Sequence, residues 1–253
     1  MAYTNSPLVN YTKLSPNNSG TRTHAIDRIT IHCTAGQCTA ETLGNLFANS
    51  KRQASSNYGV GYDGRIGLYV PESKRSWCSS SKENDQRAVT IEVSSNNTTP
   101  YAVNNVAYNA MLNLVEDICR RNGKKKLLWM ADKATALAYN PKPDEMVLTV
   151  HRWFAAKSCP GDYLYARLKS IANDITERLK DVCTVELPIL RLNAKSGHVK
   201  TMQILLNKYI KANLTEDGSF GPLTEKQVKR YQKIVGYPQT GVCDGKMWAH
   251  LLK

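Results

Sequence analysis

Short runs in which apolar and polar side chains alternate constrain the fold of this chain more than any other feature. Residues 28–34 place two isoleucines on one side of an extended chain and His32 on the other, and residues 87–94 alternate in the same way. Residues 146–151 form a third run rich in β-branched residues. A period of two with such residues is typical of strands, so the sequence predicts a sheet.

Helical patterns lie between and after these strands. Residues 58–70 predict a hairpin around Asp63 and Gly64. Apolar residues at helical spacing over 111–118 predict a helix that Gly123 caps, and a second helix is predicted from about 162 to 181. Strands interspersed with helices indicate an α/β or α+β core.

The spacing also predicts a division of the chain. The length of 253 residues allows one large domain or two smaller ones. Residues 182–196 contain Pro188 and no clear helical period, so we interpret them as a linker. Beyond them, three helical patterns in 197–253 predict a small all-α domain.

Composition narrows the function classes. The net charge of +13 favours an anionic partner, either nucleic acid, anionic lipid or anionic cell-wall polymers. The lysine run at 124–126 follows a predicted helix, and no nucleic-acid recognition motif accompanies it, so we expect no nucleic-acid partner. No run approaches the ~18 apolar residues of a membrane span. The polar N-terminus has no signal-peptide pattern, so we expect synthesis in the cytoplasm without an export signal.

Three side chains of the metal-binding type stand near strand ends. His32 and His151 each end a strand, and Cys159 follows eight residues after His151. Two imidazoles and a thiolate are good zinc ligands that leave a fourth position open for chemistry. A cysteine nucleophile, Cys159 with His151 as its base, is the main chemical alternative, but it leaves His32 unexplained.

Four segments carry a resemblance to a known family. The segments ITIHCTAG, SSNYGVGYDGRIGLYVPESKRSW, AVTIEVS and HRWFAAKSCPGDYL occur in one order over roughly residues 24–180. Together they resemble the type 2 N-acetylmuramoyl-L-alanine amidases, a family that includes phage lysozyme-type amidases and peptidoglycan recognition proteins. The resemblance implies an α/β fold, with a mixed central β-sheet flanked by helices and a zinc cleft. It also implies that His32, His151 and Cys159 bind Zn²⁺.

The resemblance assigns further roles around the cleft. It implies that Lys157 stabilises the oxyanion, that Glu92 transfers protons, and that Tyr58 lies near the zinc. Which group is the base stays open, and we favour Glu92 because a carboxylate accepts a proton near neutrality. Trp77 is a candidate substrate-stacking residue. Cys78 stands where many relatives have histidine, so substrate preference is expected to differ.

The C-terminal segment carries its own resemblance. The motif DGSFGPLTEKQVKRYQ is similar to the three-helix peptidoglycan-binding domain of wall hydrolases. The expected organisation is therefore a zinc amidase catalytic domain (1–181), a linker (182–196) and a peptidoglycan-binding domain (197–253).

These observations predict a zinc-dependent peptidoglycan hydrolase. It is expected to cleave the amide between N-acetylmuramic acid and L-alanine of the stem peptide, as a phage endolysin or autolysin that acts on the bacterial cell wall. Anionic wall polymers are possible further partners. The alternatives are a non-catalytic peptidoglycan-recognition protein and a muropeptide-recycling amidase.

Overall fold

The computed structural model describes residues 3–180 and 187–252. The chain divides into two compact units, Met1–Asp181 and Val182–Lys253. Residues 182–186 of the expected linker lie outside the described residues. None of the helices in the described ranges is long and apolar enough to cross a membrane.

The described residues of the first unit form nine strands. They are β1 (Tyr11–Thr12), β2 (Asn18–Thr21), β3 (Arg28–Cys33), β4 (Tyr58–Val60), β5 (Ile66–Leu68), β6 (Lys74–Ser76), β7 (Ala88–Val93), β8 (Lys126–Leu128) and β9 (Glu145–Thr149).

Helices of the first unit alternate with these strands. They are α1 (Ala40–Ala48), α2 (Lys82–Arg87), α3 (Asn105–Arg121), α4 (Lys133–Ala138), α5 (Gly161–Tyr165) and α6 (Leu168–Leu179). Gly123 follows α3 with a φ of +66°, the left-handed conformation that glycine adopts without strain.

Seven strands form one mixed sheet in the order β1-β5-β4-β7-β3-β9-β8. The β4–β5 hairpin is antiparallel, and the other pairs are parallel. β2 and β6 form a separate antiparallel pair. The fold is therefore α/β, with β3 and β7 near the middle of the sheet.

One face of this sheet is apolar and packs against α3 and α6. Side chains of β3, β7 and β9 share a buried cluster with those helices; its members include Ile29, Ile31, Val89, Ile91, Leu148, Leu114, Ile118, Ile171 and Ile175. Burying each such side chain contributes about 1.5–3 kcal/mol. This face fixes the positions of β3 and β7, because a slip by one residue would expose every apolar side chain.

The opposite face is polar at its centre. Thr30 on β3 shares a hydrogen bond of 2.7 Å with Thr149 on β9, and Asn84 of α2 donates to Thr30 and accepts from Thr149. All three side chains are fully buried. The central strands therefore present their polar residues to an ordered, hydrogen-bonded layer.

The described residues of the second unit form three helices, as the sequence pattern predicts. They are α7 (Gly197–Ile210), α8 (Pro222–Ile234) and α9 (Gly245–Leu251). Phe220 and Trp248 lie in its buried core, and Pro222 opens α8 at a position that suits proline.

Two sequence predictions differ from the structure. The helix predicted over about 162–181 is divided into α5 and α6, because the N–H of Arg167 closes a turn on the carbonyl of Leu164 between them. One residue of the expected linker packs into the second unit. Leu190 is buried in the core of the second unit and exchanges backbone hydrogen bonds with Cys243.

Candidate active site

The floor of the site comes from two neighbouring strands. His32 on β3 and Glu92 on β7 are paired in parallel register, so their side chains lie on the same face of the sheet. The His32 ring is fully buried, and 18% of the Glu92 side chain is exposed. His32 Nδ1 lies 3.9 Å from Glu92 Oε1.

The segment after β9 brings two further donors over this floor. His151 opens a short turn that follows the strand, and the N–H of Arg152 donates to the Cys159 carbonyl across the loop. Cys159 Sγ lies 3.3 Å from His32 Nδ1. One donor atom each from His32, His151 and Cys159 lies within 4.8 Å of the others.

A hydroxyl that the sequence analysis did not single out orients His151. Ser80 Oγ lies 3.0 Å from His151 Nε2, which leaves the Nδ1 atom of that ring for a ligand. Fixing one ring nitrogen in this way sets the tautomer of a metal-binding histidine. The contact joins residues 71 positions apart, so no local pattern indicates it.

The ionisation of the two imidazoles suits a metal centre. Burial, together with the neighbouring His151, lowers the pKa of His32 to about 3. Burial, together with the Lys157 ammonium, lowers the pKa of His151. Both rings are therefore neutral at pH 7 and offer a lone pair, which metal binding requires.

The thiol of Cys159 is protonated in the metal-free state. Its side-chain hydrogen bond with Cys33 and its burial raise its pKa far above the ordinary value. A bound cation reverses this preference by displacing the proton. Two neutral imidazoles and a thiol of this kind fit zinc, which prefers nitrogen and sulfur donors.

The Glu92 carboxyl stands beside this triad. Burial, followed by the nearby Cys33 thiol, raises its pKa to about 8. Its Oε2 atom is buried and has no hydrogen-bond partner among the described residues. An oxygen in this environment is available to a cation, a water molecule or a substrate.

A cavity of about 480 Å³ opens over these groups. Lys157 is exposed and lines it together with Trp77, whose indole N–H donates to Ser19 Oγ over 2.7 Å. Leu43 and Phe47 contribute an apolar wall. The cleft therefore combines a metal-type donor set, the exposed cations Arg52 and Lys157, and an aromatic side chain.

Two models of known protein families match this chain. The family model described as N-acetylmuramoyl-L-alanine amidase matches residues 22–162, more than half of the chain. The chain belongs to the N-acetylmuramoyl-L-alanine amidase family. A second family model, described as a putative peptidoglycan binding domain, matches residues 195–251. The chain is thus a peptidoglycan amidase or a related recognition protein with a C-terminal peptidoglycan-binding domain.

Solved structures similar to this amidase-family chain include the catalytic domain of XlyA (17% identity, TM-score 0.46), which covers 65% of this chain and 97% of that one. The amidase LysC from Clostridium intestinale URNW has 18% identity and a TM-score of 0.44 over 65% of this chain and 95% of that one.

A peptidoglycan-binding protein from Clostridioides difficile, in complex with glutamine hydroxamate, is 30% identical over 25% of this chain. The match spans 40% of that protein's length, with a TM-score of 0.24. No curated protein matches the chain.

Tyr58 is the one expected site residue that the structure does not bring to the cleft of the amidase unit. It pairs in register with Ile91, so its ring lies on the apolar face, opposite Glu92. Its hydroxyl donates to Glu72 Oε1 over 2.6 Å and accepts from the Ser6 N–H over 2.8 Å. We therefore remove Tyr58 from the candidate proton-transfer groups.

Cys33 lies closer to the amidase site than strand alternation suggests. Because it follows His32, its side chain is expected on the opposite face. At the end of β3, however, it lines the cavity and forms a side-chain hydrogen bond with Cys159. It is not one of the donors that lie within 4.8 Å of each other in either candidate metal group of the described residues.

Proposed function

We propose that the chain is a zinc-dependent N-acetylmuramoyl-L-alanine amidase that cleaves the amide between N-acetylmuramic acid and L-alanine in bacterial peptidoglycan. One observation carries the proposal. His151 and Cys159 line the same cavity as Glu92, and one donor atom from each lies within 4.8 Å of a donor atom of the buried His32, in a chain of the amidase family.

The three donors would hold the metal. When bound, zinc supplies a Lewis acid that polarises the scissile carbonyl and makes water more acidic. One thiolate and two neutral imidazoles leave this centre with a net charge of about +1, which preserves its acidity. Ser80 holds the His151 ring in a ligating orientation through its hydrogen bond to Nε2.

In this proposal, Glu92 is the residue that transfers protons. Its carboxylate accepts a proton from the attacking water and returns it to the nitrogen of the leaving alanine. Its partly buried position on β7 places it at the same cavity as His151 and Cys159. Burial raises the pKa of Glu92 to about 8, and a cation held by the three donors would favour the carboxylate form that accepts a proton.

Two cleft residues would bind the substrate. The Lys157 ammonium is exposed at the cavity and can stabilise the negative charge that develops on the carbonyl oxygen. Trp77 offers a partly buried ring against which a sugar can stack. Both assignments rest on the positions of the two side chains, and substituting Lys157 or Trp77 would test them.

The C-terminal domain would hold the enzyme on its insoluble substrate. A tethered catalytic unit meets the polymer at a raised local concentration. The net charge of +13 adds attraction to anionic wall polymers, which weakens as salt is added. We propose the biological role of a phage endolysin or autolysin, made in the host cytoplasm and active on the bacterial cell wall.

The test is an assay on purified peptidoglycan that scores free L-alanine amino groups and reducing sugar ends separately. Wild type is expected to release alanine amino groups, and His151→Ala is expected to release none. His24→Ala is the matched control, because His24 is exposed and lies outside the donor groups. Chelation should abolish the activity and added zinc should restore it.

Three other outcomes would overturn the proposal. Reducing ends in place of amino groups would indicate a glycosidase. Sedimentation with the wall without either product would indicate a recognition protein that does not cleave. Cleavage of soluble muropeptides but not of intact wall would indicate a recycling amidase.

A further inference from the structure

The cleft contains a second set of metal donors that shares His32 with the first. Cys78 lies in the segment between β6 and α2, and its N–H donates to Asp85 Oδ2 over 3.0 Å. Its thiol points at Glu92 Oε1 at 3.8 Å. Donor atoms of His32, Cys78 and Glu92 all lie within 4.8 Å of one another.

The separations in both sets suit one ion. Zinc bonds of about 2.0–2.3 Å in a tetrahedron place nitrogen and oxygen donors about 3.3 Å apart, and sulfur about 3.5 Å from either. The observed distances are 3.9 Å from His32 Nδ1 to Glu92 Oε1 and 3.8 Å from Cys78 Sγ to Glu92 Oε1. The first set has 3.3 Å from His32 Nδ1 to Cys159 Sγ. The donors of either set must move closer together to bind one ion, and no donor pair starts more than 4.8 Å apart.

The surroundings of the second set also favour a cation. Glu92 Oε2 is buried without a hydrogen-bond partner among the described residues, a state that costs free energy. A thiolate and a carboxylate together neutralise a divalent ion, whereas the first set leaves it at about +1. A neutral centre is cheaper to place in a partly buried cavity.

We propose that His32, Cys78 and Glu92 form a second zinc position in the cleft, which excludes the first because both use His32 Nδ1. One nitrogen lone pair binds one ion. When the ion enters the second position, the Cys78 thiol and the Glu92 carboxyl release their protons to solvent, and the resulting thiolate and carboxylate become ligands. Glu92 then cannot accept a proton, so this form of the enzyme is inactive.

This inference rests on the proposed function in that it takes His32 as a metal ligand and Glu92 as the base. It has a quantitative consequence. Since the positions exclude each other, the share of zinc-loaded protein that is inactive depends on the ratio of the two zinc affinities and not on the zinc concentration. Cys78 thus sets what fraction of a fully loaded sample is active.

Cobalt(II) binding tests the second position without measuring activity, because a thiolate ligand gives an intense sulfur-to-cobalt charge-transfer absorption. Chelator-stripped full-length protein is titrated with cobalt. In Cys159→Ser, Cys78 is the remaining thiolate in the two sets, so we expect one equivalent of cobalt with the absorption present. The double variant Cys78→Ser, Cys159→Ser should lose the absorption and bind at least tenfold more weakly.

Cys38→Ser is the matched control, because Cys38 lines the same cavity but belongs to neither set. It should bind cobalt as wild type does, and circular dichroism should show that each variant is folded. If folded Cys159→Ser binds no cobalt or lacks the absorption, the second position does not exist. If the absorption persists in the double variant, another thiol such as Cys33 is the ligand, and the proposal is wrong.

A measurement on the wild-type protein tests the second position even if the variants do not fold. Bound zinc is expected to slow alkylation of Cys78 in proportion to the share of zinc in the second position, while Cys38 reacts at an unchanged rate, as followed by peptide mass spectrometry. An unchanged rate at Cys78 would contradict the proposal. Amide cleavage by wild type is measured separately. The two proposals can therefore fail independently: Cys78 can bind metal in a protein that cleaves no amide, and the amide can be cleaved by a protein whose Cys78 binds no metal.

Discussion

Replacing Tyr58 with phenylalanine separates a structural role from a catalytic one. The ring is fully buried, and its hydroxyl connects Ser6 to Glu72, a carboxyl that is 1% exposed and also binds Arg121 Nη2 at 2.5 Å. The sequence resemblance places Tyr58 near the metal, whereas the structure makes it a buried link in this polar cluster. The two roles predict opposite effects of Tyr58→Phe on stability and activity.

The expected loss of stability follows from these contacts. The bond to Glu72, which also pairs with Arg121, is worth about 1.5–3 kcal/mol, and the unpaired Ser6 N–H costs about 1 kcal/mol more. We therefore expect Tyr58→Phe to reduce the free energy of unfolding by about 2.5–4 kcal/mol. For a unit of this size, that corresponds to a fall in Tm of about 5–15 °C.

Tyr69→Phe is the matched control. The Tyr69 ring is also fully buried, but its hydroxyl makes one neutral hydrogen bond, 2.7 Å to the Ala40 carbonyl. Its removal should cost about 1 kcal/mol. Denaturant unfolding followed by tryptophan fluorescence reports mainly the amidase unit, because three of the four tryptophans, Trp77, Trp129 and Trp153, lie there.

The second measurement is the rate at which alanine amino groups are released, divided by the amount of folded protein. Tyr58→Phe should retain wild-type activity below its unfolding temperature, because the ring does not line the cavity. A loss of more than tenfold in kcat with unchanged stability would refute the structural assignment and restore Tyr58 to the reaction.

Three further outcomes are expected from the site. Glu92→Gln keeps the shape of the side chain but cannot accept a proton, so kcat should fall about 10²–10⁴-fold while one equivalent of zinc stays bound, as measured by metal analysis. Ser80→Ala removes the partner of His151 Nε2, so zinc affinity should fall about 10–100-fold in competition with a chromophoric chelator; unchanged affinity would show that the contact does not orient the ring. Removing zinc should abolish cleavage without changing far-ultraviolet circular dichroism, because the buried core is independent of the donors, and unfolding on chelation would contradict this.

Local periodicity was enough to predict the strands that form the floor of the site. Alternation in residues 28–34 and 87–94 predicts that His32 and Glu92 lie opposite the apolar faces of their strands. The structure shows this arrangement, and the parallel register places the two residues side by side. The prediction succeeded because a strand has a fixed period and each run carries one clearly apolar side.

The sequence also carried a signal about Tyr58 that the resemblance obscured. In β4, Tyr58 and Val60 alternate with Gly59, which makes the tyrosine side the apolar one. Gly59, not Tyr58, is paired with Glu92. A Cβ atom at Gly59 would lie 2.7 Å from the Tyr69 ring, so the glycine allows close packing on the site face of β4.

Long-range contacts account for most of what the sequence could not show. Ser80 meets His151 and Cys78 meets Glu92 only because the segment that follows β6 passes beside the cleft. The positions of these groups are set by the tertiary fold, and no short-range pattern encodes them. The break between α5 and α6 is different, because it depends on a local turn at Leu164 and Arg167 that the apolar spacing hides.

The polar face of the central sheet explains why these donors can be held in place before a metal binds. Parallel strands are usually apolar on both faces, and here Thr30, Thr90 and Thr149 interrupt that pattern beneath the site. Each threonine hydroxyl has a hydrogen-bond partner, with Asn84 and Asn57 supplying the amides. Buried polar groups that are satisfied in this way form a rigid layer, whereas unsatisfied ones would cost stability. The same strands therefore use one face to fix the sheet and the other to fix the orientation of His32 and Glu92.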